Sequence, residues 1–179
     1  MIQRIQTLWI FLAVVCMALC FAFPVANYTI TPSPEQQVEA TLCLVAADGG
    51  DMMAQLASGE PVVHFSQRLS GMPTWPLITL VVAIIAVAAV SIFLYRNRTA
   101  QVRIVSLAFL LNVGYAFLLF FWAVDRYADL FAMGFVPQRP EVTWAAGAFL
   151  PLAALVMLFL AQRAIRRDEA RVRAADRLR

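Results

Sequence analysis

The stretch WPLITLVVAIIAVAAVSIFLYRNRTAQVRIVSLAFLLNVGYAFLLFFWAV, residues 75–124, decides the fold. It contains two apolar runs, 75–95 and 102–124, and each is long enough to cross membrane hydrocarbon as a helix of roughly 20 residues. Arg96 and Arg98 end the first run, and the linker to the second run is short. Because a short linker forces the two helices to lie antiparallel, this stretch predicts a transmembrane hairpin.

Two further apolar runs, 5–23 and 144–161, lie on either side of this hairpin. The chain of 179 residues is 62% hydrophobic and 14% charged, whereas soluble domains are about half apolar and about a quarter charged. We therefore predict an all-α membrane protein, a four-transmembrane-helix bundle in which residues 1–179 form a single membrane domain.

The first run, 5–23, shares with cleavable signal peptides a single Arg followed by an apolar stretch. It is longer than a typical signal core, however, and Pro24, Val25 and Ala26 make a poor cleavage site. We favour an uncleaved first transmembrane helix that ends at Pro24.

The segment 24–74 is polar and carries five acidic residues against one Arg, so it must lie in water. Three stretches in it are rich in Val, Thr, Ile and Tyr and are separated by turn signals, which predicts a small antiparallel β meander. These stretches are 26–31, 38–45 and 61–68. For 51–57, which begins with Asp, we predict one or two helical turns.

The last part of the chain contains a second polar loop and a fourth predicted span. The loop, 125–143, could rest an apolar face on the membrane surface, and the span covers 144–161. Pro151 removes the backbone hydrogen bond to Gly147 inside that span, so we expect a helix kink at these two residues. Residues 162–179 contain no Gly or Pro and should continue the fourth helix as a cytoplasmic extension.

The charge distribution predicts the orientation in the membrane. Eleven Arg lie at the N-terminus, around the hairpin linker and in the tail, whereas three lie in the two polar loops. Because Arg-rich flanks stay in the cytoplasm, we predict a multi-pass inner-membrane protein with cytoplasmic N- and C-termini. The loops 24–74 and 125–143 would then be periplasmic.

Few side chains are suited to catalysis. The one histidine is His64, in the first polar loop, and no predicted span carries Asp, Glu, Arg or His near its centre. The sequence shows no nucleophile with a base and no axial haem ligand, so we predict no enzyme activity, cofactor or metal site. Cys16 and Cys20, one helical turn apart, are predicted to be core residues, and we expect no disulfide.

Asn112 is the deepest polar side chain in the predicted spans. An Asn at this depth can donate or accept a hydrogen bond across helices, a contribution of about 1 kcal/mol. We predict an interhelical polar contact there in preference to a substrate site.

The arginines of the predicted cytoplasmic side form a second candidate site. In the tail 162–179, seven Arg less three acidic residues leave a net charge of about +4, which attracts anionic lipid headgroups. The same Arg could instead dock a protein partner or only fix the topology, and without interleaved aromatic residues they do not predict nucleic-acid binding. The candidate residues are Arg96, Arg98, Arg103, Arg163, Arg166, Arg167, Arg171 and Arg173.

Motifs at both ends and in the middle of the chain resemble a known family. They are MIQRIQTLW at 1–9, YRNR at 95–98, LAQRAIRRDE at 160–169 and DRLR at 176–179. These motifs are similar to those of a family of small four-helix membrane proteins of the Bacteroidota, a domain of unknown function. The resemblance implies the host group and the topology, and it implies no activity.

Three functional hypotheses follow. The first is a non-catalytic accessory or scaffold subunit that contacts the lipid bilayer and other membrane protein subunits. The second is a binder or carrier of a lipid or another uncharged hydrophobic molecule, suggested by Asn112, Gly114 and the expected kink at Pro151. The third is a membrane enzyme that uses loop carboxylates. Those carboxylates are Glu35, Glu39, Asp48 and Asp51.

Overall fold

A computed structural model of the protein describes residues 3–33, 36–44, 53–56, 75–94, 97–135 and 139–176. The helices are α1 (Gln3–Leu19), α2 (Trp75–Phe93), α3 (Arg98–Phe117), α4 (Val124–Phe135) and α5 (Ala146–Asp176). A π-helical segment, Leu118–Ala123, joins α3 to α4. The strands are β1 (Ala26–Ser33), β2 (Gln36–Leu42), β3 (Met53–Leu56) and β4 (Glu141–Trp144).

Three helical stretches are long and apolar enough to cross a membrane, which suggests a membrane protein. They are Trp75–Phe93, Thr99–Asp129 and Ala146–Ala170. Helix α1 is also apolar but has only 17 residues, about 26 Å at 1.5 Å per residue, against a hydrocarbon core of about 30 Å. By length and composition the described chain therefore has three candidate spans and one shorter apolar helix.

The predicted first span, 5–23, is helical only as far as Leu19. Helix α1 stops at Leu19, whose carbonyl accepts hydrogen bonds from the N–H groups of Ala22 and Phe23 in a tight turn. Pro24 disfavours helical geometry at the residue before it, and β1 begins two residues later, so the chain has to leave the helix early.

Helix α3 begins at Arg98, four residues before the predicted start of the third span. The side chain of Asn97 accepts a hydrogen bond from the Ala100 N–H at 3.4 Å, which is the N-cap interaction that starts a helix. Arg98 therefore lies on the helix and not in the hairpin linker.

The first half of the predicted loop 125–143 is helical instead. Helix α4 is amphipathic, with Val124 and Tyr127 buried and Asp125 and Asp129 exposed. No Pro interrupts the chain before Pro137, so the helix continues through the π-helical segment to Phe135.

A small sheet is present, as predicted, but its strands differ from the prediction. Its order is β3-β2-β1-β4, with all three neighbouring pairs antiparallel. The expected helical turns at 51–57 are wrong, because Met53–Leu56 pairs with β2. Strand β4 was not predicted, since four residues acquire extended geometry there only by pairing with β1. The predicted strand 61–68 lies outside the described residues.

The chain divides into two compact units. A helical unit contains Met1–Ala18, Thr79–Ala116 and Leu150–Arg179, and a sheet unit contains Leu19–Ile78 and Phe117–Phe149. The core of the helical unit is formed by apolar side chains, including Ile10, Met17, Ile84, Val105 and Leu158. Only 28–33% of the most apolar stretch in each candidate span is buried within the chain, so large apolar faces remain for lipid or another protein.

Candidate functional site

Uncharged polar side chains connect the helices of the helical unit. Gln101 on α3 donates from Nε2 to the Ser91 carbonyl on α2 at 3.2 Å, and Gln101 is buried. Gln162 on α5 donates from Nε2 to the Ser106 hydroxyl on α3. That hydroxyl donates to the Val102 carbonyl of its own helix at 2.8 Å, so Ser106 both accepts and donates. These contacts hold α3 to both α2 and α5.

Asn112 lies on α3 with no exposed surface and makes a further contact of this kind. Its Nδ2 donates to the Pro151 carbonyl on α5 at 3.2 Å. Its Oδ1 is buried and has no hydrogen-bond partner among the described residues. Since a buried amide oxygen without a partner is costly, this atom is a place where a water or a ligand donor could bind.

Gln6 and Asp168 connect the beginning of α1 to the C-terminal part of α5. Both residues are buried, and Gln6 Nε2 donates to the Asp168 carboxylate and, at 3.4 Å, to the Ala164 carbonyl. The two residues are 162 positions apart, so nothing in the local sequence suggests the contact. It brings the start of α1 next to the predicted cytoplasmic extension of α5.

Arg163, Arg166 and Arg167 are exposed on α5, and none forms an ion pair with any described residue. Arg163 and Arg167 line a groove of about 560 Å³ that α1 closes on its other side with Ile5 and Trp9. With Arg166 they also line a second groove, of about 320 Å³. Of the other predicted contact residues, Arg103 is exposed on α3. The remaining side chains, those of Arg96, Arg98, Arg171 and Arg173, lie outside the described part of the chain.

Tyr28 fixes β1 to α4 in the sheet unit. Its hydroxyl donates to the Val124 carbonyl at 3.1 Å, and its ring packs against Tyr127 at 4.8 Å between centroids. Burial, helped by Tyr127 and Asp125, raises the pKa of the Tyr28 phenol above its ordinary value. The phenol therefore stays neutral and keeps donating its hydrogen bond over the physiological range.

Besides the role predicted for it at a kink, Gly147 makes a close backbone contact. Its N–H donates to the Pro24 carbonyl at 2.8 Å, and a Cβ at this position would lie 2.5 Å from the same oxygen. Glycine is therefore required here by close backbone approach at the start of α5. Pro151 is the sixth residue of α5, and the helix continues past it to Asp176, so the kink stays a prediction.

Within the described residues, no cluster of three or more His, Cys, Asp or Glu could hold a metal ion. Cys16, Cys20 and Cys43 form no disulfide. Of the residues considered for chemistry, His64 lies outside the described residues, and so do Glu35, Asp48 and Asp51.

The family is established by comparison with known families. The model for a domain of unknown function, DUF4293, matches residues 2–178, so the chain belongs to this family. The resemblance seen in the terminal motifs is thereby confirmed at the level of a family without an assigned activity. No curated protein matches the chain.

Proposed function

We propose that this DUF4293 protein is a non-catalytic accessory or scaffold subunit of a larger complex in the inner membrane of a Bacteroidota cell. Four helical stretches would cross the membrane as a bundle, with both termini in the cytoplasm and the sheet in the periplasm. Its partners would be other membrane protein subunits and the surrounding lipid.

The observation that carries this proposal is how three buried or half-buried amide side chains of α3 and α5 are used. Gln101, Gln162 and Asn112 each donate to a neighbouring helix, so their amide groups serve helix packing. A transporter of ions needs ionisable groups along its path through the hydrocarbon. The buried polar side chains of the described α2 and α3 are uncharged, which favours a structural role.

The strand pairing supports the proposed topology independently of the Arg count. Strand β1 follows α1 and strand β4 precedes α5, and the two pair from Ala26↔Trp144 to Thr29↔Glu141. Paired strands must lie on one side of a membrane, so an even number of crossings separates them. The hairpin of α2 with the helical stretch Thr99–Asp129 supplies two crossings.

The sheet unit supplies a surface on which another subunit could dock. Both polar loops contribute strands to one sheet, and Tyr28 ties that sheet to α4. Phe120 of the π-helical segment packs against Trp144 of β4 at 5.2 Å between ring centroids, which fixes the edge strand as well. A sheet held in this way can present a fixed surface to a partner.

The test is two-dimensional electrophoresis of native membranes after mild detergent extraction, with native separation followed by denaturing separation. We expect the chain to migrate with at least one other polypeptide in a constant ratio. A chain that runs alone, or only with copies of itself, in several detergents would overturn the proposal.

A variant of β4 links this result to the sheet. Ala145 donates its N–H to the Val25 carbonyl, and alternate residues of a strand point the same way, so the Thr143 N–H also faces β1. Thr143→Pro removes that donor and should release the partner, whereas Thr143→Val keeps the strand and should retain it. Circular dichroism of both variants should show unchanged helix content.

Asn112 supports a second candidate function, the binding of an uncharged hydrophobic molecule. Its buried Oδ1 could accept a hydrogen bond from a ligand hydroxyl. Native mass spectrometry should then find a retained small molecule in the wild type and lose it in Asn112→Leu. If no molecule is retained by the wild type, this second function is abandoned.

A further inference from the structure

The groove between α1 and α5 combines an apolar wall with two positive charges. Ile5 and Trp9, four residues apart on α1, face Arg163 and Arg167, four residues apart on α5. Leu160 continues the apolar lining toward the centre of α5, and the groove has a volume of about 560 Å³.

Within the described part of the chain, Arg163 and Arg167 have no ion-pair partner that would neutralise them. Neither forms an ion pair with any described residue, although Asp168 lines the same groove. The Asp168 carboxylate is buried and accepts the hydrogen bond of Gln6. Against this one carboxylate, Arg163 and Arg167 leave one positive charge in excess among the groove residues.

The position of the groove along α5 matches a membrane surface. Arg163 lies two positions after Ala161, where the predicted span ends, and Arg167 lies one helical turn, about 6 Å, further on. Trp9 supplies an aromatic ring of the kind that settles at the headgroup level. Leu8, Phe11 and Phe159 are further exposed apolar side chains on the same two helices.

We propose that this groove binds one anionic glycerophospholipid, with the phosphate between Arg163 and Arg167 and an acyl chain along α1 and α5. The assignment rests on the proposed placement of these helices in the membrane. Guanidinium groups bind phosphate oxygens in a forked geometry, and the apolar wall suits an acyl chain and not a free anion. The contact between Gln6 and Asp168 keeps α1 beside α5 and so maintains the groove.

The test is a native mass spectrometry titration of the purified full-length chain in mild detergent. Phosphatidylglycerol and phosphatidylcholine with identical acyl chains are added, and the affinity of the first bound lipid is measured. We expect phosphatidylglycerol to bind more tightly. Arg163→Gln/Arg167→Gln should weaken it by about 30-fold, at about fivefold for each well-placed charge.

The matched control is Arg103→Gln/Arg166→Gln, which removes the same charge from two exposed arginines that do not line this groove. It should change the affinity by less than about threefold. Arg163→Lys/Arg167→Lys keeps the charge but not the forked geometry and should recover only part of the binding. Equal weakening by both glutamine pairs would mean a diffuse charged surface and would overturn the site. Displacement of the lipid by millimolar inorganic phosphate would also overturn it, because the acyl chain would then contribute nothing.

This result is independent of the proposed scaffold role. If the purified chain shows no lipid selectivity, electrophoresis of native membranes can still detect the complex. A chain that migrates alone in native gels still reports its lipid affinity in the titration.

Discussion

Alanine at position 147 should destabilise the protein, although alanine normally strengthens a helix. The added Cβ would lie 2.5 Å from the Pro24 carbonyl oxygen and 2.7 Å from that of Phe23, where ordinary contacts begin at 3.4 Å. The backbones must therefore separate by roughly 0.9 Å at the closest contact. Because the obstacles are backbone atoms and not flexible side chains, the strain cannot be relieved by a rotamer change.

The size of the effect follows from three contributions. Overpacking of this kind costs about 1–3 kcal/mol. The separation also weakens the 2.8 Å hydrogen bond from the Gly147 N–H to Pro24, a further loss of about 1 kcal/mol. The better helix propensity of alanine returns at most about 1 kcal/mol. The free energy of unfolding should thus fall by about 1–3 kcal/mol.

Gly114→Ala is the matched control, because a Cβ on Gly114 would meet nothing within 4 Å. That substitution should raise the free energy of unfolding by about 0.5–1 kcal/mol, the ordinary gain from replacing glycine in a helix. Both variants are measured by SDS titration in mixed micelles with tryptophan fluorescence as the signal. If Gly147→Ala is as stable as the wild type or more stable, the argument from close backbone approach is wrong.

Three further predictions concern the contact of Tyr28, the contact of Gln6 with Asp168, and the membrane topology. Tyr28→Phe should lower the free energy of unfolding by about 1 kcal/mol, because it removes the hydrogen bond to Val124. The pKa of Tyr28 is raised in the folded state, so its contribution to the free energy of unfolding is complete below the ordinary pKa of 10.0 and is lost as the pH rises above that value. When the free energy of unfolding is measured from pH 9 upward, that of the wild type should therefore fall more steeply than that of Tyr28→Phe. Gln6→Leu should cost about 1–3 kcal/mol by leaving the buried Asp168 carboxylate without this donor, and Asp168→Asn, which keeps an acceptor, should cost less in the same SDS titration. In cysteine-free protein, single cysteines at Asn97 and Thr143 should react with a membrane-impermeant maleimide from opposite sides of the membrane; labelling from one side contradicts the proposed topology.

The sequence reveals the helices well because a membrane span is a local property. The run 75–95 contains enough apolar residues to identify α2 without knowledge of any neighbour. Strand β4 could not be found in this way, because its four residues become a strand only beside β1, more than a hundred positions earlier. The end of α1 depends on the same sheet, since the chain leaves the helix to reach β1.

In the candidate site, too, only residues with a local sequence signal could be predicted. Asn112 could be selected from sequence because a lone amide deep in an apolar run needs a partner. Its partner, the Pro151 carbonyl, could not be identified, because a helix carbonyl carries no sequence signal. The contact of Gln6 with Asp168 was missed because both residues resemble ordinary solvated flanks of apolar helices. The close approach of the Pro24 carbonyl to Gly147 could not be predicted, because Pro24 lies far away in the chain.

The contact of Gln6 with Asp168 and the pairing of β1 with β4 also bear on whether α1, a helix of only 17 residues, crosses the membrane. On the proposed topology α5 crosses once, so its C-terminal part and β4 lie on opposite sides. Gln6 at the start of α1 is bonded to Asp168 near the end of α5, and β1 after α1 is paired with β4 before α5. On that topology the two ends of α1 would lie on opposite sides as well. A 17-residue helix is at the short limit for a span. The apolar turn residues 20–23 would extend the apolar length of α1, and we expect a local thinning of the bilayer to make up the remainder.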